Sequence, residues 1–482
     1  MANLADEKKI KRDGIRQVIS CIVVFLPVMC GGIASGWSSP TEKYLRNMTE
    51  TWKDCPELNT TASGSLTEEE FSWVTSVLYF GGMAGCLIWN PITETFGRKI
   101  AGYIVGLLQT SAWAGILYKT DFKILLICRF LLGVSVSGGL VVGMSYTNEI
   151  TSARLKGPMS SLGAIFLNGG FLVVYLCGSF FPYNVLNTIC LSFPIAFLLM
   201  FFKLPESPLY LLMDNQEQRA KESFMWFRGN KEHKVGKEMA AIQASPAFQS
   251  RVSFKDLFTS RSTTASVIIA MMLLSGQQIS GITIITSYTE LIFGKSGNKI
   301  SPSFSTVIMG LIQIFGCCIP GLLVNRVNQK LLLVISYVLA AMSLFGVGVA
   351  FSLLERGYDS NFIKTLPFIG VLCYILSFTT GIANVPFIIF TRIFEPKVMS
   401  LAMSYGQLAG SITAFLTAKL FFTLTDNLKY SGTFYFLGSC CIIMAMYVMK
   451  FIDVGRSPLP RKQEISVHIE DIEKSKQELI VN

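Results

Sequence analysis

The chain has 482 residues, of which 51% are hydrophobic and only 15% charged, with a formal net charge of +10. Soluble domains carry about a quarter charged residues, so this composition excludes an ordinary water-soluble domain. The positive charge is confined to short stretches between long apolar runs, which argues for a topology signal and against a nucleic-acid partner.

The apolar runs fall near 17–37, 71–91, 101–118, 124–146, 157–180, 185–203, 264–284, 303–324, 331–351, 366–390, 400–422 and 430–450. Each approaches the ~20 residues that a helix needs to cross a hydrocarbon core about 30 Å thick. Lipid offers no water to an unpaired backbone, so all of them are expected to be helices. The expected fold is therefore an all-α membrane protein of twelve transmembrane helices, in two six-helix bundles around a central cavity. The divisions expected are a cytoplasmic N-terminal segment 1–16, a six-helix bundle 17–203, a cytoplasmic linker with short helices 204–263, a second bundle 264–450 and a cytoplasmic tail 451–482. Charged residues from Glu7 to Arg16 precede the first run and no small-residue cleavage site follows it, so it does not read as a removable signal peptide.

An even number of spans puts both ends on one side. Lys and Arg concentrate on that side, in the short loops as well as the linker, which predicts cytoplasmic termini. The two N-x-Ser/Thr sequons, at Asn47 and Asn59, both fall in the first loop, on the opposite side, where glycans are attached. A multi-pass protein of the plasma membrane is expected. Of twelve cysteines only Cys55 lies in such a loop; the others sit in spans, where they pack as small apolar residues. Neither cysteine spacing nor the distant His233 and His468 suggests a metal, and no phosphate-binding glycine loop is present, so no cofactor is expected.

Six motifs follow one another in order. They are Gly36-Trp37-Ser38-Ser39-Pro40, Glu94-Thr95-Phe96-Gly97-Arg98-Lys99, Arg129-Phe130 with Tyr146 and Glu149, Lys156-Gly157, Pro205-Glu206-Ser207-Pro208, and Gln277-Gln278-Ile279-Ser280-Gly281-Ile282. Together they resemble the sugar porter family of the major facilitator superfamily, over nearly the whole chain. Within it they are most similar to insect facilitated trehalose transporter-like proteins, through Asn168-Gly169, Arg228-Gly229 and the Ser-Pro ending of the first span.

The resemblance implies a sugar as partner and a site between the bundles. A sugar hydroxyl donates and accepts, and Gln supplies two donors and an acceptor without charge. Gln277 and Gln278 are the leading candidates; on position alone they could equally be bonds between helices. Gln313 and Asn168 are further polar candidates. Thr283 stands where the family has Asn, and Phe387 where it has Trp, with Asn384 close by. Gly410-Ser411 replaces the family's Asn-Trp, which predicts a wider cavity.

The family also clamps its inner face with charges at helix ends, which form in one state and break in the other. In the first half the corresponding residues are Glu94, Arg98, Lys99, Glu149 and Lys156, with Arg129 at the start of span 4 and Glu206 after span 6. In the second half the pattern changes. Asn325 replaces Asp, Asn328-Gln329-Lys330 replaces Gly-Arg-Arg, Arg392 stands where Glu is usual, with Glu395 a turn away, and Met399 replaces Arg. The expected consequence is a resting state biased toward inward-open.

Proton coupling needs an ionisable group inside the membrane. Glu290 just past span 7 and Glu149 at a helix end do not read as buried proton carriers, so facilitated uniport is expected over symport. A sugar-responsive receptor without flux, and a carrier of another small polar solute, are the alternatives. No catalytic constellation supports an enzyme. Oligomeric state is not legible.

Overall fold

The computed structural model describes residues 2–46, 65–228, 232–244, 261–323, 326–393 and 396–452, and every regular element among them is a helix. Among the described residues, nine helices are long and apolar enough to cross a membrane. Two of these are far longer than one crossing. α3 (Glu68–Tyr118, after α1 Ala2–Gly36 and α2 Ser38–Leu45) has 51 residues and breaks at Gly97, with φ 89° and ψ 170°. At 1.5 Å per residue it would be about 75 Å long if straight, more than twice a bilayer core. The break makes it two antiparallel spans. α4 (Phe122–Ile150), α5 (Ala153–Phe180) and α6 (Tyr183–Phe201) complete the first six.

Three short helices follow: α7 (Pro208–Met213), α8 (Glu217–Arg228) and α9 (Glu232–Gln243). The seventh span is interrupted. α10 (Arg261–Ile279) stops at the left-handed Gly281, and α11 (Ile282–Ser287) and α12 (Thr289–Ser296) continue it. α13 (Pro302–Leu323) and α14 (Gln329–Glu355) come next. The tenth span is broken as well. α15 (Asn361–Ser377) runs into a π-helix over Phe378–Ile382, then α16 (Val385–Ile393). α17 (Pro396–Phe451) has 56 residues and reverses at Lys429, giving the last two spans. The architecture is thus twelve spans in two six-helix halves.

Small residues set the spacing inside the first half. A Cβ built on Gly32 of α1 would stand 2.0 Å from the Leu167 carbonyl oxygen of α5, and one on Gly170 would stand 2.1 Å from that of Met29. Gly81 and Gly133 make the same reciprocal approach between α3 and α4. Such backbone contact is the usual glue where lipid supplies no hydrophobic drive between helices.

The linker helices bind the first half. Gln17 of α1 donates to the Phe227 carbonyl at 3.0 Å and accepts from the Ser152 amide at 3.0 Å. Arg228 donates to the carbonyls of Ile150 (2.5 Å) and Thr151 (3.3 Å), where α4 ends, and pairs with Glu238 at 2.9 Å. A guanidinium there satisfies carbonyls that the helix leaves free and complements the negative end of its dipole. The start of α1, the end of α17 and the described linker helices share one end of the bundle, hereafter the terminal end; the opposite one is the far end.

Candidate functional site

At mid-depth the second half brings several of the expected polar residues together. Gln277 on α10 is buried, and its Nε2 donates to the carbonyls of Ile382 (2.7 Å) and Ala383 (3.3 Å) across the break in the tenth span. Gln278 is half-buried, and its Oε1 accepts from the Thr283 hydroxyl at 2.7 Å. Asn384 donates to the Thr379 carbonyl at 2.7 Å, and Phe387, 37% exposed, meets Phe390 edge-on. Gln313 on α13 is buried, and its Oε1 has no partner among the described residues. Asn168 on α5 donates to Ala164 of its own helix at 2.8 Å. In this conformation Gln277 and Asn384 therefore bond backbone, while Gln313 keeps an unused acceptor.

Gly410 and Ser411, where a wider cavity is expected, are both buried. Ser411 is buried, 3.8 Å from where a Cβ of Gly82 would lie on α3, and a Cβ on Gly410 would be 3.4 Å from the Leu274 carbonyl on α10.

At the terminal end a charge cluster forms within the first half. Arg98 pairs with Glu149 through Nη2 at 2.8 Å and Nε at 3.1 Å, both side chains being largely buried. Arg98 also donates to the Thr93 carbonyl at 3.1 Å and lies over the Tyr210 ring at 5.4 Å. Glu206 accepts from the backbone amides of Arg98 (3.1 Å), Lys99 (3.0 Å) and Ser207 (2.7 Å), so its carboxylate caps the helix that starts at Gly97. The Lys99 ammonium reaches the Phe202 carbonyl at 3.4 Å. Ser207 donates to Glu149, and Tyr146 to the Pro205 carbonyl. Ser207 and Tyr210 belong to this cluster, and sequence reasoning missed them as members; the Pro205-Glu206-Ser207-Pro208 motif carried the signal. Glu94 is exposed and makes no salt bridge to a described residue; Lys156 is exposed at the start of α5.

Arg129 is a correction. Span 4 runs from the far end to the terminal end, so its opening Arg lies some 20 residues, about 30 Å, from Glu149. It is fully buried and donates to the carbonyls of Val74 (3.1 Å) and Ala34 and to the Ser38 hydroxyl (3.0 Å), with Trp37 stacked at 5.2 Å. Ala34 lies in the last turn of α1, whose negative dipole end offsets the charge. Arg129 is no part of the terminal-end cluster. Asn47, Asn59, Asn325 and Glu395, and the side chains of Arg392 and Met399, fall outside the described residues.

The far end holds a second ionic cluster, which sequence reasoning missed. Lys43 of α2 pairs with Glu290 of α12 at 3.1 Å, joining the two halves, and the Glu290 amide donates to Ser39 at 3.1 Å. Arg46 pairs with Glu42 at 2.7 Å and Glu68 at 2.5 Å, and covers Phe422 at 5.5 Å. Burial pushes the Glu42 carboxyl up to about 7, against the pull of Arg46 and with help from Glu290 and Glu68. Glu290, which did not read as a buried acid, is buried and paired with Lys43. Tyr175 donates to the Thr286 carbonyl at 2.9 Å, and Ser72 to that of Lys419 at 2.9 Å, so the halves are bonded along the far end. Nearer the terminal end, Asn90 of α3 donates to Ser404 of α17 at 2.7 Å.

The model of the Sugar (and other) transporter family matches residues 23–453. The chain belongs to that family. Curated relatives include the facilitated trehalose transporter Tret1 of Polypedilum vanderplanki, 26% identical over 90% of this chain and 85% of that protein. The Tret1 of Aedes aegypti is 27% identical over 90% of this chain, which spans about half (53%) of that relative's length. Among solved structures, the inward-open xylose transporter XylE from E. coli aligns with a TM-score of 0.72 at 17% identity, over 91% of this chain and 98% of that one. XylE bound to 6-bromo-6-deoxy-D-glucose aligns at 0.63 and 17% identity, over 90% and 96%. The fold is that of the major facilitator superfamily. Members of this family are carriers, so the chain is a membrane transporter and not an enzyme.

Proposed function

We propose that this carrier moves a sugar, trehalose or a hexose, down its gradient by alternating access. Support comes from the relatives named for trehalose transport and from the uncharged amides and hydroxyls that line the broken seventh and tenth spans. The observation that carries the reading is Gln313. Its buried acceptor, on the helix beside that constellation, has no donor among the described residues and can take one such as a hydroxyl. Gln277, Gln278, Thr283, Gln313, Phe387, Asn168 and Asn384 are the proposed substrate contacts.

Uniport is favoured over proton coupling because the buried cation near the far end, Arg129, is bonded to carbonyls and a hydroxyl rather than to a carboxylate, and the buried acids there, Glu42 and Glu290, are paired with Arg46 and Lys43. The Arg98, Lys99, Glu149 and Glu206 cluster, with Glu94, Lys156 and Arg392, is the proposed gate of the terminal end. That end is the cytoplasmic one, the protein lies in the plasma membrane, and Asn47 and Asn59 carry glycans outside. The two halves 17–203 and 264–450 rock about the site. The test is uptake of labelled trehalose and glucose into proteoliposomes, with and without a proton gradient. Saturable flux that a collapsed gradient leaves unchanged is expected, with Gln313→Leu reducing it; no flux of either sugar overturns the reading.

A further inference from the structure

Pro386 has no N–H, so the carbonyl four residues earlier, that of Ile382, lacks the donor an unbroken helix would give it. Ile382 ends the π-helix and is fully buried, so water does not supply the bond either. The donor comes from another helix: Gln277 Nε2, at 2.7 Å. The neighbouring displaced carbonyl, that of Thr379, is met locally by Asn384 at 2.7 Å. Of the two side chains that hold the broken span together, one is therefore tied to α10, the segment that carries the proposed sugar contacts. Close by, the Ser280 hydroxyl and Tyr374 hydroxyl lie 3.0 Å apart and tie the end of that segment to α15.

We propose that Gln277 is a positioning residue of the transport cycle. Its carboxamide is shared between the buried Ile382 carbonyl and a substrate hydroxyl, and the exchange releases α16 to move. A hydroxyl carries a donor and an acceptor. Inserted between Gln277 Nε2 and Ile382 O, it accepts from one and donates to the other, so neither is left unpaired while the direct bond between the helices is broken. An ether or fluoro group at the same point accepts from Gln277 but leaves the carbonyl orphaned. The site thereby selects polyols for translocation as well as for binding, and couples occupancy to the hinge at Pro386. This rests on the sugar reading given above.

The test is a double-mutant cycle on the full-length carrier: wild type, Gln277→Ala, Pro386→Ala and the double variant. Pro386→Ala restores the N–H that Ile382 needs. Thermal unfolding without sugar reads the staple independently of which solute is carried. Gln277→Ala lowers stability, and adding Pro386→Ala recovers most of the loss; equal losses in both backgrounds, or none, overturn the proposal. Transport in proteoliposomes reads the exchange. Pro386→Ala alone leaves KM for trehalose within about threefold and lowers turnover about tenfold or more, the factor expected when one buried bond is no longer exchanged; unchanged turnover overturns it. If no protein of the set, wild type included, moves either sugar, the functional reading fails, while the unfolding cycle still decides the staple.

Discussion

Removing the Lys43 ammonium should favour opening at the far end, and by more than removing its partner. The pair spans the halves at 3.1 Å, with the Lys43 side chain 38% exposed and that of Glu290 only 3%. Lys43→Met leaves Glu290 buried near a second buried acid, Glu42, as long as the far end stays closed. Breaking a buried pair by deleting one partner costs about 3–5 kcal/mol, whereas an exposed pair is worth about 0–1 kcal/mol. With one partner buried and the other a third exposed, the closed state should lose about 2 kcal/mol, roughly a 30-fold shift toward opening. Glu290→Gln removes the charge that needs compensation and leaves a lysine that water can solvate, so its effect should stay below about 1 kcal/mol. The double variant should return near wild type, since residues in direct contact are not additive. The assay is labelling of a cysteine at Ser287, which is buried where the Tyr79 hydroxyl meets it at 3.4 Å. A membrane-impermeant maleimide applied to the far side should react fast in Lys43→Met and slowly in the double variant. Equal rates in Lys43→Met and Glu290→Gln, or a double variant as reactive as Lys43→Met, would refute the reasoning.

The same labelling should depend on pH. Glu42 binds its proton more tightly in the closed far end than in water, its carboxyl being raised from 4.5 to about 7. The closed state thus holds the extra proton. Its advantage is complete below about pH 4.5 and is lost as pH rises through 7, so reactivity should climb across that window and flatten in Glu42→Gln. Gly97→Ala should cost about 3 kcal/mol in unfolding stability, because φ 89° with ψ 170° is a glycine conformation and the new Cβ would meet Glu206 Oε2 at 2.5 Å. A melting temperature equal to wild type would contradict this. Lys429, at φ 61° and ψ 176°, pays the same conformational penalty without being glycine; Lys429→Gly should gain about 1 kcal/mol net, read as a raised melting temperature.

The twelve spans were legible because lipid depth demands a fixed length of apolar helix, and no tertiary contact can alter that demand. The breaks were only partly so. Pro386 and Gly281 are visible as residues, but a proline does not announce which group will satisfy the carbonyl it strands. That Gln277 does so depends on α10 lying against the tenth span, a relation between residues 105 positions apart. The Arg98–Glu149 pair was readable from motif spacing, since both residues stand at helix ends on one face of the bilayer. Arg129 was misgrouped because span direction was not followed through the count: a residue that opens the fourth span lies at the far end. The far-end cluster was hidden for a related reason. Glu42 and Arg46 share a helix face at i,i+4, which the sequence displays, but Glu290 meets Lys43 only when two halves separated by the whole linker close on each other.

Charge placement then gives the two ends different physical roles. At the terminal end the described ion pairs lie within the first half and the linker, Arg98 to Glu149 and Arg228 to Glu238, and a described bond across the halves is the neutral one between Asn90 and Ser404. At the far end a charged pair itself crosses the divide. A neutral hydrogen bond contributes about 0.5–1.5 kcal/mol net, and a hydrogen bond to a charged group about 1.5–3 kcal/mol. For the described contacts, the far end is therefore the one held by the stronger bond.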